Sequence, residues 1–404
     1  MILKRFFLIK FIVVFFIIYD FSFVAFPSLT SGRIALLIIV YDLLYRRKIT
    51  ISRNIVYFLA ILFILLIGSL IQYISSNDFI QSSRLLWFTI YSVITPVFLS
   101  KWFKDSKEFL QIFLLATTLQ SVIATFSFFN PLVKQNILNI IIVGGNDMEE
   151  IIYRAISFSG ASGAALSVIQ FCGVFSGLIL LKSFTHSIKN SALIWICVVV
   201  TLLSTLIIGR TGLLCSLLSI IVFSVPQFNF RKLVWFSGII ILVTQINFLT
   251  ILESQTESIS GFNVEFFLNW IEEAFTVKDN HTANVIQEMP IPPLSINTIM
   301  GTGEVFNTEK LVNSSGNDSG YIQTYYSLGI IMAIIFYISY FMFLISETKT
   351  KNLFSILFFV FLMFIIEFKE PFIFKYILPF FILTLIFLSK NKDEVVQQKL
   401  LKKI

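Results

Sequence analysis

Apolar runs about as long as a bilayer is thick recur from one end of this chain to the other. No other feature restricts its fold as much. A helix needs about 20 predominantly apolar residues to cross a hydrocarbon core. The sequence offers twelve stretches of that kind, beginning near residues 6, 33, 54, 85, 108, 162, 191, 211, 233, 320, 353 and 371. Inside hydrocarbon every backbone N–H and C=O must be satisfied within the protein, so only helices and closed barrels span. Continuous apolar runs of this length select helices. Composition agrees: the 404 residues are 57% hydrophobic and 13% charged, where soluble domains carry about 25% charge. The expectation is an all-α polytopic integral membrane protein of about 12 transmembrane helices, forming a single membrane domain over 1–404. The opening "MILKRFFLIKFIVVFFIIYDF" has the basic-then-apolar look of a signal peptide. It lacks a small-residue cleavage site, and it is read as a retained first helix covering about 6–26.

Sidedness follows from lysine and arginine, which accumulate in cytoplasmic connections. With the N-terminus inside, twenty of the 30 basic residues fall in the alternate, inward segments, and every such segment holds at least two. Sixteen of the 23 acids fall outward. Both termini are therefore expected in the cytoplasm. The net charge of +7 becomes a topology signal, with no nucleic-acid partner implied. The tenth run, about 320–344, would enter from outside. Two outward loops exceed the rest, 129–161 and 252–318. Within the second, "GFNVEFFLNWIEEAF" (Gly261 to Phe275) spaces Phe266, Phe267, Trp270, Ile271 and Phe275 for an interfacial helix near 262–275. The "EMPIPPLSIN" that follows is broken by its prolines.

The inward loops are too short for a nucleotide-binding domain and contain neither a P-loop nor a Gly-rich dinucleotide turn. Chemistry is then expected on the outer face. There it must use a substrate activated beforehand and carried in the membrane, such as a lipid-linked diphosphate. The four outward arginines, Arg33, Arg84, Arg154 and Arg210, lie at or near the starts of apolar runs. A guanidinium matches phosphate oxygens with a planar fork and keeps its charge. Arg33 and Arg84 read first as interfacial anchors and second as accessory ligands. Arg154, in "YRAISFSGASGAA", and Arg210, in "LIIGRTGLLCSLL", read as functional, because charge near hydrocarbon is costly without a partner. The "EFKEP" turn supplies Glu367, Lys369 and Glu370, with Lys375 just beyond. Its charges either neutralise one another or present Lys369 to phosphate with Glu367 orienting it. Asp318 carries two readings at once: a helix cap and a general base. Tyr321 and His281 are accessory candidates, His281 being an isolated loop histidine. Cys172, Cys197 and Cys215 each sit in an apolar run and define no disulfide framework. No pair of histidines or Asp-x-Asp signature points to a metal, and no cofactor is expected.

Taken together, the number of runs, the large outward loop before the tenth, "GRTG" at 209–212, "GTG" at 301–303, "NDSGYIQTYYSLGI" from Asn317 and "EFKEP" at 367–371 carry a resemblance over essentially the whole chain. The sequence resembles the Wzy O-antigen and capsule polymerases. The resemblance implies a GT-C-like, metal-independent, inverting glycosyltransferase of the bacterial inner membrane. It would join undecaprenyl-diphosphate-linked donor and acceptor glycans, working beside a flippase and a chain-length regulator. It also implies that Arg154 and Arg210, with Lys369, hold diphosphate. The related O-antigen ligases carry a His-Asn pair where this chain has Asn317 and Asp318, a departure that favours polymerase over ligase. A flippase for the same lipid-linked unit is the alternative from another class.

Overall fold

The computed structural model describes residues 2–45, 51–143, 155–184, 187–224, 289–307, 312–348 and 353–401. Arg154, His281, the ninth apolar run and the segment 262–275 lie outside the described residues. The described residues are mostly helical, at 76%. In chain order the first elements are α1 (Ile2–Tyr19), β1 (Ser22–Phe23), β2 (Phe26–Thr30), α2 (Ser31–Tyr45), α3 (Arg53–Ser76), α4 (Ile80–Trp87), a π-helical segment Phe88–Ile94 and α5 (Thr95–Leu99). Next come α6 (Ser106–Phe129), α7 (Pro131–Ile140), β3 (Ile141–Ile142), α8 (Gly163–Ser183), α9 (Ile188–Ile208) and α10 (Arg210–Ser224). The last are α11 (Ile296–Met300), β4 (Phe306–Asn307), β5 (Val312–Asn313), α12 (Gly320–Leu328), α13 (Ile330–Glu347), α14 (Leu353–Ile366) and α15 (Ile377–Leu401).

Among the described residues, six helical stretches are long and apolar enough to cross a membrane: Arg53–Ser76, Ile80–Leu99, Ser106–Phe129, Gly163–Ser183, Ile188–Ile208 and Ile330–Glu347. Large apolar side chains stand exposed on several of them, as with Phe63, Ile74, Ile196 and Ile338. Such surface suits lipid and would be unusual facing water. The protein is thus membrane-embedded, built on helices, with two very small antiparallel sheets among the described residues.

The chain divides into two compact units, residues 1–34 with 110–284 and residues 35–109 with 285–404. In the first, α8 packs against α9 and α10. Small residues set the spacing: a Cβ at Gly212 would lie 2.0 Å from the Ser167 carbonyl oxygen, and one at Gly177 2.2 Å from Val198. This is the close approach that small residues permit between membrane helices. The apolar run expected to stay helical over 6–26 stops at Tyr19. The Gly160 N–H donates to the Tyr19 carbonyl at 2.8 Å. Asp20 adopts a positive φ of 29° and accepts the Gly32 N–H at 2.9 Å. The following residues form the β1–β2 hairpin, and β3 adds to it in the order β2-β1-β3. The outward stretch from 129, expected as a loop, begins with α7. Asn130 caps it and Pro131 starts it, a good first residue because its missing N–H is not needed there.

In the second unit α3 packs on α13, and α15 packs on α5 and the π-helical segment. The tenth apolar run, expected as one helix, is broken at Gly329, whose φ is +86°. The break follows from the crossing of a second backbone: a Cβ at Gly329 would lie 2.5 Å from the Ile299 carbonyl oxygen and 2.6 Å from the Gly301 nitrogen. The carbonyls released at the break are satisfied. Thr302 N–H donates to Tyr326 O at 3.0 Å, Gly303 N–H to Ser327 O at 2.9 Å, and the Gln72 amide to Leu328 O at 2.9 Å. The "GTG" at 301–303 is therefore a strap across the end of α12. Irregular backbone survives at membrane depth only when it is re-satisfied in this way.

Candidate functional site

In the second unit the "EFKEP" turn and the start of α12 come together. Glu367, the first residue beyond α14, is fully buried. Its backbone carbonyl accepts the Gly320 N–H at 2.9 Å. Its side chain fills the notch left by the missing Gly320 side chain, since a Cβ there would lie 2.3 Å from Glu367 Oε1. Tyr337 on α13 donates its hydroxyl to Oε1 at 2.9 Å, and the Ile373 N–H donates to Oε2 at 2.8 Å. Burial pushes the Glu367 carboxyl up to about 7. These two donors, with the Arg84 and Lys375 charges behind them, offset only part of the cost of burying the anion.

Arg84 on α4 is half-buried and donates from Nη1 to Gln323 Oε1 on α12 at 3.2 Å. Its charge acts on Glu367 through space, and Glu367's two oxygens are already engaged by Tyr337 and Ile373. One turn along, Ser327 of α12 donates to Gln81 Oε1 of α4 at 3.0 Å, so two polar rungs tie α4 to α12. Gln323 also reaches back with its amide to the Asp318 carbonyl oxygen at 3.0 Å.

Asp318 is exposed, and here one of its two sequence readings is corrected. It does not cap α12. Ser319 occupies the cap position, without a side-chain cap hydrogen bond, while the Gly320 N–H goes to Glu367 O. The Asp318 carboxylate instead accepts the Asn313 amide at 2.7 Å. The reason is positional: Asp318 is two residues ahead of the first helical residue, and β5 brings Asn313 within its reach. Although Asp318 stays open to solvent on one side, the desolvation its neighbours impose, and next the negative Glu370, hold its carboxyl above the ordinary range, against the Asn313 bond and the Lys375 and Lys369 charges. A carboxylate raised in this way is a better proton acceptor than one left in water.

The turn bears out the neutralising scheme for one pair of its charges and leaves Glu367 out of it. Glu370 pairs with Lys375 at 2.5 Å, and Lys375 also lies over the Phe372 ring. Glu367 bonds a tyrosine and a backbone amide, so it does not orient Lys369 directly. Lys369 is half-buried and acts on Asp318 electrostatically. Tyr321 gives its hydroxyl to Phe364 O at 2.8 Å and sets its ring tilted against Phe368, which makes it a brace between α12 and α14.

Two expected residues belong to the first unit. Arg210 is half-buried and opens α10. The glycines of its "GRTG" have a packing cause: Gly209 and Gly212 both abut α8, and Gly212 N–H donates to Ser167 Oγ at 3.0 Å. Arg33 is exposed on the first turn of α2 and donates to the Ser28 carbonyl, an anchoring contact. Among the described residues no cluster of histidine, cysteine or acid has metal-ligand geometry. Gln81, Gln323 and Tyr337 were missed from the sequence. The available signal was their polarity inside apolar runs, where such groups point toward the protein interior.

No family model matches the chain, and no match was found among curated proteins or among solved structures.

Proposed function

We propose that the chain is a polysaccharide polymerase, a glycosyltransferase of twelve spans and GT-C-like build in the bacterial inner membrane, with both termini cytoplasmic. It joins undecaprenyl-diphosphate-linked oligosaccharide repeat units on the outer face, in O-antigen or capsule biosynthesis. One observation carries the reading. Two of the stretches that carry the resemblance, "NDSGYIQTYYSLGI" and "EFKEP", meet where Gly320 donates to Glu367, and Asp318, Lys369 and Arg84 belong to the same unit. A carboxylate with a raised proton affinity beside basic side chains fits acid–base chemistry on an anionic substrate.

In the proposed reaction an acceptor sugar hydroxyl attacks C1 of the donor glycan. The new C1–O bond forms as the C1–O bond to undecaprenyl diphosphate breaks. The hydroxyl proton passes to Asp318 and the electron pair leaves with the diphosphate. Diphosphate is a good leaving group and needs charge stabilisation more than protonation, which falls to Lys369 and Arg84. Arg210 in the first unit, and Arg154, enter the proposal as further diphosphate ligands implied by the resemblance.

Complementation of a deletion strain tests the reading. Asp318→Asn, Arg84→Ala and Arg210→Ala should each abolish long glycan ladders while single-unit glycan persists, at unchanged protein level in the membrane. Wild-type ladders from Asp318→Asn would refute the assigned base. Loss of the gene should leave one-unit glycan on the cell surface. Finished glycan stranded on its carrier would instead make the protein a ligase, and units stranded inside the cell would make it a flippase.

A further inference from the structure

Glu367 is a buried acid whose surroundings suit its neutral form better than its ion. Its position makes that protonation consequential. Four segments converge on it: α12 through Gly320, α13 through Tyr337, the turn before α15 through Ile373, and α4 through the charge of Arg84. The titratable and charged groups facing it are Arg84 from α4, Tyr321 from α12, Tyr337 and Tyr340 from α13, and Lys375 from its own turn.

A neutral carboxyl there can be satisfied completely. Oε2 accepts the Ile373 N–H at 2.8 Å. Oε1, carrying the proton, can donate across the same 2.9 Å to the Tyr337 oxygen. The Tyr337 hydroxyl is then free to turn onto the Gly320 carbonyl at 3.3 Å, or toward Thr324 Oγ1 at 3.0 Å. That chain closes on the first turn of α12, where Thr324 also donates to Gly320 O at 2.7 Å. The anion keeps both donors but remains fully buried, and among the described residues Arg84 and Glu367 form no ion pair. Desolvating an unpaired carboxylate is the larger cost.

We infer that Glu367 is a positioning residue, a proton-controlled catch that as the neutral acid locks the first turn of α12 against α13 and the "EFKEP" turn. On ionising it loosens that turn, and with it the placement of Asp318 just ahead. The inference rests on the reading of Asp318 as the base, since Asp318 gives the catch its chemical object. The catch itself is a property of the fold.

The sign follows from linkage. With α12 undocked, Glu367 is solvated and titrates near the ordinary value of 4.5; docked, it holds its proton to about 7. The docked state therefore binds more protons between these limits. Opening becomes easier as pH rises from about 4.5 to about 7, and levels off above that.

Hydrogen exchange by mass spectrometry on the full chain, in phosphatidylethanolamine–phosphatidylglycerol vesicles without substrate, reads this directly. Once intrinsic exchange is corrected for, protection of 320–328 should fall on the order of a hundredfold across that window. Glu367→Gln carries the same hydrogen-bond roles as the neutral acid, so it should stay protected and pH-flat. Tyr337→Phe removes the relay through which the neutral acid reaches the first turn of α12, so protection of 320–328 at the low-pH end should fall. Equal pH dependence in Glu367→Gln and wild type would overturn the catch, as would a Tyr337→Phe protein whose low-pH protection of 320–328 matches wild type. Tyr337→Phe decides alone if Glu367→Gln fails to accumulate. Because no substrate takes part, loss of the polymerase reading (ladders from Asp318→Asn) and loss of the catch are separate results.

Discussion

The two units solve the problem of polar groups among apolar helices in different ways. Among the described residues the first relies mainly on neutral groups, with Lys10 as its one buried charge. Gln120 donates to Ser157 at 2.9 Å, Ser204 to Ser121 at 2.9 Å and Ser121 to Gln170 at 3.3 Å, all buried, and Thr118 meets Thr201 at 3.3 Å. The second unit collects charge. Beside the Glu367 cluster, the buried Glu347 takes Lys390 at 2.9 Å and the Ser52 hydroxyl at 2.9 Å. Hydroxyls and amides cost little to bury once paired and contribute modestly to helix association in membranes. Charges cost several kcal/mol, and where they are kept a function is the default reading. The contrast teaches that polarity as such does not mark the candidate site in this chain; incompletely compensated charge does.

Breaking the contrast begins with the glycines. A Cβ at Gly212 would meet the backbone of Ser167 at 2.0 Å and 2.3 Å, and backbone inside a helix cannot yield. Gly212→Val should therefore cost about 4 kcal/mol or more and remove the folded protein from the membrane, measured as loss of a monodisperse detergent-solubilised species. In the second unit Gly320→Ala meets the flexible end of Glu367 at 2.3 Å but also Pro371 Cα at 2.7 Å. It should cost about 1–3 kcal/mol. The expected result is a folded protein, with normal yield, that has lost chain extension. A Gly320→Ala protein with wild-type ladders would show that close docking of α12 on Glu367 is dispensable. The smallest effect belongs to the neutral network. Ser204→Ala deletes a hydroxyl that bonds Ser121 and the Thr201 carbonyl and should cost about 0.6 kcal/mol. That loss would appear as a shift of a few degrees in thermal aggregation with glycan ladders intact. A severe loss of ladders from Ser204→Ala would place chemistry in the first unit and erase the contrast.

Much of the site could be read from the residues, for reasons of local chemistry. Asp318, Glu367 and Lys369 stood out as charges at the ends of apolar runs, and the break at "EMPIPP" is present: from Met289 to Ser295 no helix forms. What could not be read was which charge meets which. Glu367 and Glu370 are three residues apart, and the sequence leaves open whether the turn's charges neutralise one another or Glu367 orients Lys369. Only packing of α12 and α13 against the turn buries Glu367 and leaves Glu370 to pair with Lys375. Arg84 read as an anchor because an arginine near a helix start is commonly interfacial. Its bond to Gln323, 239 residues away, has no sequence signal. The Asp318 cap failed for a similar reason: a distant carbonyl took the N–H that a local side chain was expected to take.

The apolar runs by themselves determined that this is a membrane-embedded helical protein, because hydrocarbon leaves an unsatisfied backbone almost no alternative. The lengths of several helices and the charge inventory followed from the same residues. Tertiary structure alone decided where those helices stop and how their polar groups are spent. Gly329 breaks the tenth run because the 299–303 backbone crosses it, and α1 ends at Tyr19 because Gly160 closes on its last carbonyl. Composition is summed over neighbours in sequence, whereas steric exclusion and desolvation act between neighbours in space, and at Glu367 those neighbours come from helices far apart in the chain.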